Sequence, residues 1–255
     1  DEHGEWKDQT SRINSVAGIS STAAQTPRAL GIAYASKLYR ERPDLAEHAT
    51  FFSKGGQEVC YTTIGDASTS EGMYFECINA AGVLQVPIIF SVWDDGYGIS
   101  VPIEFQTTKS SISKALAGFQ RNEDGKGLEI IEVKAWDYPG LLAAYVRAAK
   151  LAREEFVPCL VHVIECTQPQ GHSASGSHER YKSTDRLAWE HEADCNVLFR
   201  QWILENKYSD ESTLKAIDDA AIIEARKHQK DAFAAYMSSV DVDRKAYLRI
   251  AKNLL

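Results

Sequence analysis

The chain has 255 residues, 44% of them hydrophobic, with 28 basic against 36 acidic side chains and a formal net charge of −8. That length and apolar content suffice for one large core, and an acidic chain without a basic stripe is a poor partner for nucleic acid. No apolar run approaches the roughly 18 residues of a membrane span and no signal peptide opens the chain, while five cysteines without a CxxC pair (Cys60, Cys77, Cys159, Cys166 and Cys195) read as reduced core thiols of a cytosolic protein, not a disulfide frame or zinc site.

Taken in order, residues 1–15 are polar and aperiodic, a loop that starts as though cut from something longer. A Ser-rich segment then runs through Gln25, Thr26 and Pro27 into a predicted helix over 28–40, with the proline near the first turn. Residues 40–56 form a polar surface connection containing Pro43, Gly55 and Gly56. Residues 59–64 and 88–93 are short β-branched and apolar runs that read as buried strands, and between them 73–84 has apolar or small residues at helical spacing. Residues 101–116 read as a loop entering a helix, and 118–127 as a polar loop. Strands are expected over 128–133 and 159–164, with a helix over 141–155 between them. A long Ser- and His-containing loop follows at 167–178, then two charged helices over 183–206 and 210–237 with largely solvated faces. Residues 244–255 read as a linker. The alternation predicts an α/β fold, a doubly wound, mostly parallel sheet flanked by helices, with a domain over 1–205 and a C-terminal helical segment over 206–255.

The chemistry concentrates in two turns. Gly65-Asp66-Ala67-Ser68 follows the first strand and Asp94-Asp95-Gly96-Tyr97 follows the second. A strand–helix–strand unit is right-handed and its strands lie parallel, so both turns fall at the carboxyl edge of the sheet, where open α/β sheets bind ligands. Asp66 and Asp95 lie 29 positions apart in sequence, yet this crossover brings them together in space. Two carboxylates with a backbone carbonyl suit Mg²⁺, which usually shares its shell with substrate phosphates. Residues 67–70 precede a helix, and their free N–H groups can cradle a phosphate oxygen. Either turn alone reads more simply as a cap or a solvated acidic turn; the pair in one βαβ frame predicts a diphosphate bridged through Mg²⁺.

The stretch resembles the thiamine diphosphate motif, Gly-Asp-Gly followed one βαβ unit later by Asn-Asn. Its finer likeness is to the α chain of the thiamine-dependent 2-oxoacid dehydrogenases, whose segment reads Gly-Asp-Gly, two small residues, Ser-Glu-Gly, a helix, a Pro-hydrophobic strand and Asn-Asn-Gly-Tyr-Ala-Ile-Ser. Ser70-Glu71-Gly72, Asn79-Ala80-Ala81, Pro87-Ile88-Ile89-Phe90 and Gly96-Tyr97-Gly98-Ile99-Ser100 fall in register with it. Two departures stand out: Ala67 replaces the second glycine, and Asp94 and Asp95 replace both asparagines. Asp95 still offers an oxygen ligand, but it adds negative charge beside an anionic cofactor and weakens binding unless Mg²⁺ or a basic group compensates.

The resemblance covers residues 19–231. It implies the thiamine diphosphate-binding fold with thiamine diphosphate and Mg²⁺ as cofactors. Asp66, Asp95 and the Tyr97 carbonyl would hold the metal, Gly65, Ala67 and Ser68 would approach the diphosphate, and Ser21 and Gln25 would belong to the cofactor loop. In the loop Gly171-His172-Ser173, His172 would contact the diphosphate or assist the reaction, although the sequence alone does not separate it from His178. Ser173 and Ser175 match the region where some relatives are phosphorylated. The implied function is oxidative decarboxylation of a small 2-oxoacid, branched-chain ahead of pyruvate, with the acyl group passed to the lipoyl group of a dihydrolipoyl acyltransferase. A β subunit or fused β half would supply the rest of the site, leaving this chain inactive alone, and the family's oligomers imply a homo- or hetero-oligomer. A bacterial cytoplasmic setting is favoured, with the mitochondrial matrix as the other candidate. Two alternatives stay open: a transketolase-like enzyme, which often carries Asp-Asp in the second turn, and a degenerate subunit kept for assembly.

Overall fold

The computed structural model describes residues 8, 10–11, 13–16, 20–48, 50–123, 125–172 and 178–252. They fall into two compact units, 1–199 and 200–255.

The first unit is built on a four-stranded sheet: β1 (Cys60–Gly65), β2 (Ile88–Trp93), β3 (Glu129–Lys134) and β4 (Cys159–Ile164), in the order β1-β2-β4-β3. Every pairing in it is parallel, with Gly65 opposite Trp93, Val92 opposite His162, and Glu132 opposite His162. β2 and β4 are buried on nearly every residue. A parallel strand covered on both faces needs a continuous apolar run rather than an alternating one, and Ile88-Ile89-Phe90 and Cys159-Leu160-Val161 provide it.

Helices α1 (Gln25–Glu41) and α2 (Gly72–Leu84) cover one face, where Ala29, Ala33, Tyr74, Ile78, Ile64, Phe90, Val92 and Leu160 form the larger core. The small side chains of α1 let it approach the sheet closely. Helix α3 (Tyr138–Glu155) covers the other face through Ala144, Ala148 and Ala152, which meet Ile89, Cys159, Val161 and Val163. It starts where the sequence supplies a cap: the Asp137 carboxylate accepts from the Gly140 amide, and Pro139 sits in the first turn. Arg121 and Arg147 both pair with Glu129 at the start of β3. All five cysteines are free thiols, and burial pushes the Cys159 thiol up to about 12 and the Cys60 thiol to about 11.

The expected strands and helices are present with their ends displaced by a residue or a few. Three stretches differ more. The 183–206 segment is two helices, α4 (Thr184–Glu192) and α5 (Cys195–Glu205), because Ala193 leaves helical geometry and Asp194 caps the second with its carboxylate. The 40–56 connection carries a helical turn, Pro43–Ala46, behind its proline. The helix expected over 210–237 runs on as α6 (Glu211–Lys252), which contains no Gly or Pro to stop it.

The second unit is dominated by α6. Asp210 caps it, and Lys215–Asp219 and Lys227–Asp231 pair one turn apart along its surface. Among the described residues no helix is long and apolar enough to cross a membrane.

Candidate active site at the carboxyl edge of the sheet

The two acidic turns meet at the carboxyl ends of β1 and β2. Asp66 N–H donates to the Trp93 carbonyl at 3.2 Å, which prolongs the β1–β2 ladder by one residue and sets Asp66 beside Asp94. The Asp66 carbonyl accepts from the Thr69 amide at 3.1 Å and from the Thr69 hydroxyl at 2.5 Å, winding residues 67–70 into one 3₁₀ turn. The Glu71 amide is likewise used locally, on the Ser68 carbonyl at 3.3 Å. One amide of the expected 67–70 phosphate cradle, that of Thr69, is therefore spent inside the turn, and α2 starts only at Gly72.

Asp66 is 3% exposed, and among the described residues its Oδ2 has no hydrogen-bond partner. Burial, then the charges of Asp94 and Asp95, raises its carboxyl to about 7, while the Ala67 and Asp66 amides pull it back. A buried carboxylate oxygen without a donor is a costly arrangement, and a cation is what would relieve it.

The second turn has the opposite character. Asp94 accepts at Oδ1 from the Gly96 amide at 2.8 Å and meets His162 Nε2 through Oδ2 at 2.8 Å. A carboxylate accepts only, so Nε2 carries the hydrogen. His162 Nδ1 lies 2.6 Å from the Ser113 hydroxyl and 3.6 Å from Glu132. His162 is 1% exposed. The backbone of Asp94 is held too, donating to the Val163 carbonyl and accepting from the Cys166 amide.

Asp95 Oδ1 accepts from the Tyr97 amide at 3.1 Å, and its carbonyl accepts from Arg186 at 2.6 Å. Burial raises the Asp95 carboxyl, opposed by the Tyr97 amide, Lys182 and Arg186. Behind the turn Lys182 bonds both oxygens of Glu190, at 2.7 and 2.9 Å, and Arg186 Nε reaches the same carboxylate at 2.8 Å. A cleft of about 260 Å³ beside the turn is lined by Asp94, Asp95, Ser111, Lys114, His162 and Arg186 among others. A larger cavity of about 540 Å³, between β3 and α3, contains none of the residues marked in the sequence.

The two turns also touch. A Cβ placed on Gly98 would come within 2.6 Å of the Ala67 methyl and would strike the Gln106 amide. The motif it resembles has glycine at the position of Ala67 and alanine at that of Gly98. In this chain the methyl stands on the first turn, and the second turn has none.

Asp66, Ala67, Asp95 and Tyr97 thus gather at one sheet edge, with Gly65 closing β1 and Ser68 half-buried in the 3₁₀ turn. Gln25 opens α1 with its side-chain amide on the Thr63 carbonyl at 3.0 Å, tying the preceding loop to β1. Ser21 is exposed, and its carbonyl accepts from the Ala24 amide. His172 is exposed and, among the described residues, makes no hydrogen bond or ion pair to either acidic turn. His178 packs against Gly171 instead, its buried Nδ1 without a partner among the described residues. Ser173 and Ser175 lie outside the described residues. Sequence reasoning missed His162, Ser113, Lys182, Arg186 and Glu190; the buried-strand position of His162 was the one signal available for this set.

Among the described residues, no three His, Cys, Asp or Glu side chains converge on a metal position. The expected set needs only two carboxylates and a carbonyl, since Mg²⁺ fills the rest of its shell with water and phosphate oxygens. The unpartnered Asp66 oxygen beside a second acidic turn fits such a cation.

The family described as "Dehydrogenase E1 component" matches residues 2–239. The pyruvate dehydrogenase E1 component subunit alpha of Rickettsia typhi is 25% identical over 201 residues, 79% of this chain and 54% of that protein. The same-named subunit of Bacillus subtilis is 31% identical over 171 residues, 66% of this chain and 43% of that protein. The 2-oxoisovalerate dehydrogenase subunit alpha of Bacillus subtilis is 26% identical over 242 residues, 93% of this chain and 66% of that protein. The chain spans about half the length of the Rickettsia relatives it matches. It belongs to the dehydrogenase E1 component family, and the relatives it matches include α subunits of pyruvate and 2-oxoisovalerate dehydrogenases.

Proposed function

We propose that this chain is the diphosphate-binding part of a thiamine diphosphate-dependent 2-oxoacid dehydrogenase. The observation that carries the reading is the buried, unpartnered carboxylate oxygen of Asp66, set beside the Asp94-Asp95 turn at the carboxyl edge of a parallel sheet. Asp66, Asp95 and the Tyr97 carbonyl would hold Mg²⁺. Gly65, Ala67 and Ser68 would face the diphosphate, Ser21 and Gln25 would bound the pocket, and His172 would close over it. When bound, thiamine diphosphate supplies an electron sink for the pair released as carbon dioxide leaves a 2-oxoacid.

The chain's own contribution is electrostatic and positional. Both acidic turns follow the ends of hydrogen-bonded parallel strands, so their backbones are fixed by the ladder rather than by loop packing. The most buried carboxylate of the two turns, Asp66, is the one that a divalent ion would neutralise. A branched-chain 2-oxoacid is the preferred substrate class over pyruvate, supported by the extent of the match to the 2-oxoisovalerate subunit, which runs over nearly the whole chain. A β-type partner would complete the active site, and a lipoyl-bearing acyltransferase would take the acyl group; the isolated chain would be inactive.

Calorimetric titration with thiamine diphosphate, with and without Mg²⁺, tests this on the chain alone and on the full-length protein assembled with its β-type partner. Mg²⁺-dependent binding in the assembled protein, lost on Asp66→Ala by at least about 100-fold, is the expected result. No binding in either form would overturn the cofactor reading and favour a role in assembly alone.

A further inference from the structure

The departure that most threatens cofactor binding is Asp95, an added negative charge where the motif has a neutral amide. The structure sets a group against it. Lys182, Arg186 and Glu190 form one cluster behind the turn: two cations share one carboxylate, and Lys182 and Glu190 are almost fully buried. One positive charge is left over; both cations oppose the Asp95 charge, and Arg186 is the member bonded to the turn itself. Its Nη2 donates to the Asp95 carbonyl at 2.6 Å, and its guanidinium lies 5.3 Å from the centre of the Tyr97 ring. Lys182 stands 5.0 Å from the same ring.

A surface pair between residues four apart on a helix would give the same Arg186–Glu190 contact and mean little. Two features separate this cluster from such a pair. Glu190 is inaccessible to solvent, so its charge is not screened. Arg186 also uses two edges of its guanidinium at once, Nε on Glu190 and Nη2 on a carbonyl 91 residues away in sequence. Only a planar, forked cation spans both. Glu190 aims the guanidinium, and the guanidinium fixes the backbone of Asp95 and the ring of Tyr97, the two residues of the second turn assigned above to the metal.

We propose that Arg186, aimed by Glu190, is the counter-charge of the second acidic turn and a positioning residue for Asp95 and Tyr97, so that the Asp-Asp turn is a charge-compensated form of the motif rather than a decayed one. This rests on the cofactor reading of the same site.

The test is a double-mutant cycle of Arg186→Gln and Asp95→Asn in the full-length protein assembled with its β-type partner, read as calorimetric affinity for thiamine diphosphate in saturating Mg²⁺. Arg186→Gln leaves the Lys182–Glu190 pair in place and is expected to weaken binding by at least about tenfold. Arg186→Lys, which keeps the charge but cannot span Glu190 and the Asp95 carbonyl together, should weaken it less than Arg186→Gln does, and Arg186→Gln with Asp95→Asn should return to within about threefold of the parent. An equal loss on Arg186→Gln in the parent and in the Asp95→Asn variant would overturn the proposal, as would no loss at all. If Arg186→Gln also lowers Tm, the same cycle read on Tm decides: recovery on adding Asp95→Asn supports charge compensation, and no recovery overturns it. Absence of binding by the unmutated assembly would instead remove the cofactor reading itself, leaving the Tm cycle as the measure of the Arg186–Asp95 coupling.

Discussion

Asp66 and Asp94 stand one residue beyond neighbouring parallel strands, both nearly sealed from solvent, and their surroundings are opposite. Asp94 spends one carboxylate oxygen on the Gly96 amide and the other on His162, and its backbone is bonded on both sides. Asp66 has an oxygen with no partner among the described residues, and burial with neighbouring charge pushes its carboxyl up to about 7. On the function proposed above, the difference separates the acid that is scaffold from the acid that would serve the cofactor. A buried carboxylate with a complete set of donors holds a turn in place; one held dry and unpaired is arranged for a ligand outside the chain.

The comparison breaks most sharply at His162. Its Nε2–H is the side-chain donor to Asp94 Oδ2, and its other nitrogen faces Ser113. His162→Leu leaves a buried carboxylate and a serine hydroxyl unsatisfied together, and should cost about 3–5 kcal/mol in chemical denaturation. Asp94→Asn introduced into that variant removes the stranded charge and should recover at least about 1 kcal/mol. Equal costs in both backgrounds would show that His162 matters through packing, and the scaffold role of Asp94 would fall.

A smaller effect is expected at the seam between the turns. Gly98→Ala drives a methyl against the Ala67 methyl and the Gln106 amide, which is itself bonded to the Val101 carbonyl. Overpacking of this kind should cost about 1–3 kcal/mol. Ala67→Gly in the same chain frees the backbone-borne obstacle and leaves only the Gln106 amide to swing aside, so most of the loss should return in a thermal unfolding experiment. If it does not, Ala67 and Gly98 are independent substitutions and not one methyl placed on the other turn.

How much of this was legible in the sequence follows from range. The strands β2 and β4 could be read because burial on both faces leaves uninterrupted apolar runs, Ile88-Ile89-Phe90 and Cys159-Leu160-Val161, that no loop would carry. The acidic turns could be read because a βαβ crossover fixes their edge of the sheet. The partners of the turns could not. His162 lies 68 residues from Asp94 and Arg186 lies 91 from Asp95, and neither spacing has a local signature. Only the order β1-β2-β4-β3, which inserts β4 next to β2, brings His162 to the end of β2. Helix α6 reads too short in the sequence for a different reason: its final turns are too polar and exposed to show a buried face, yet nothing in 238–252 breaks a helix.

The pH dependence of the ligand-free protein separates Asp66 from its neighbours by the smallest of these effects. The Asp66 carboxyl is raised from 3.8 to about 7, chiefly by burial and then by Asp94 and Asp95. A native state that prefers the protonated acid binds more protons than the unfolded chain between those values. The contribution of Asp66 is therefore complete below about pH 4 and is lost as pH rises through about 7. Asp66→Asn stays neutral throughout, so it should match the parent near pH 4 and exceed its stability by roughly 1–2 kcal/mol at pH 8, seen as a Tm difference of a few degrees that opens across this interval. Mg²⁺ with thiamine diphosphate should close the difference from the parent's side, by stabilising the chain that keeps the carboxylate and not the one that lacks it. A parallel offset at every pH would mean that the substitution acts on packing, and the contrast between the two acids would lose its electrostatic basis.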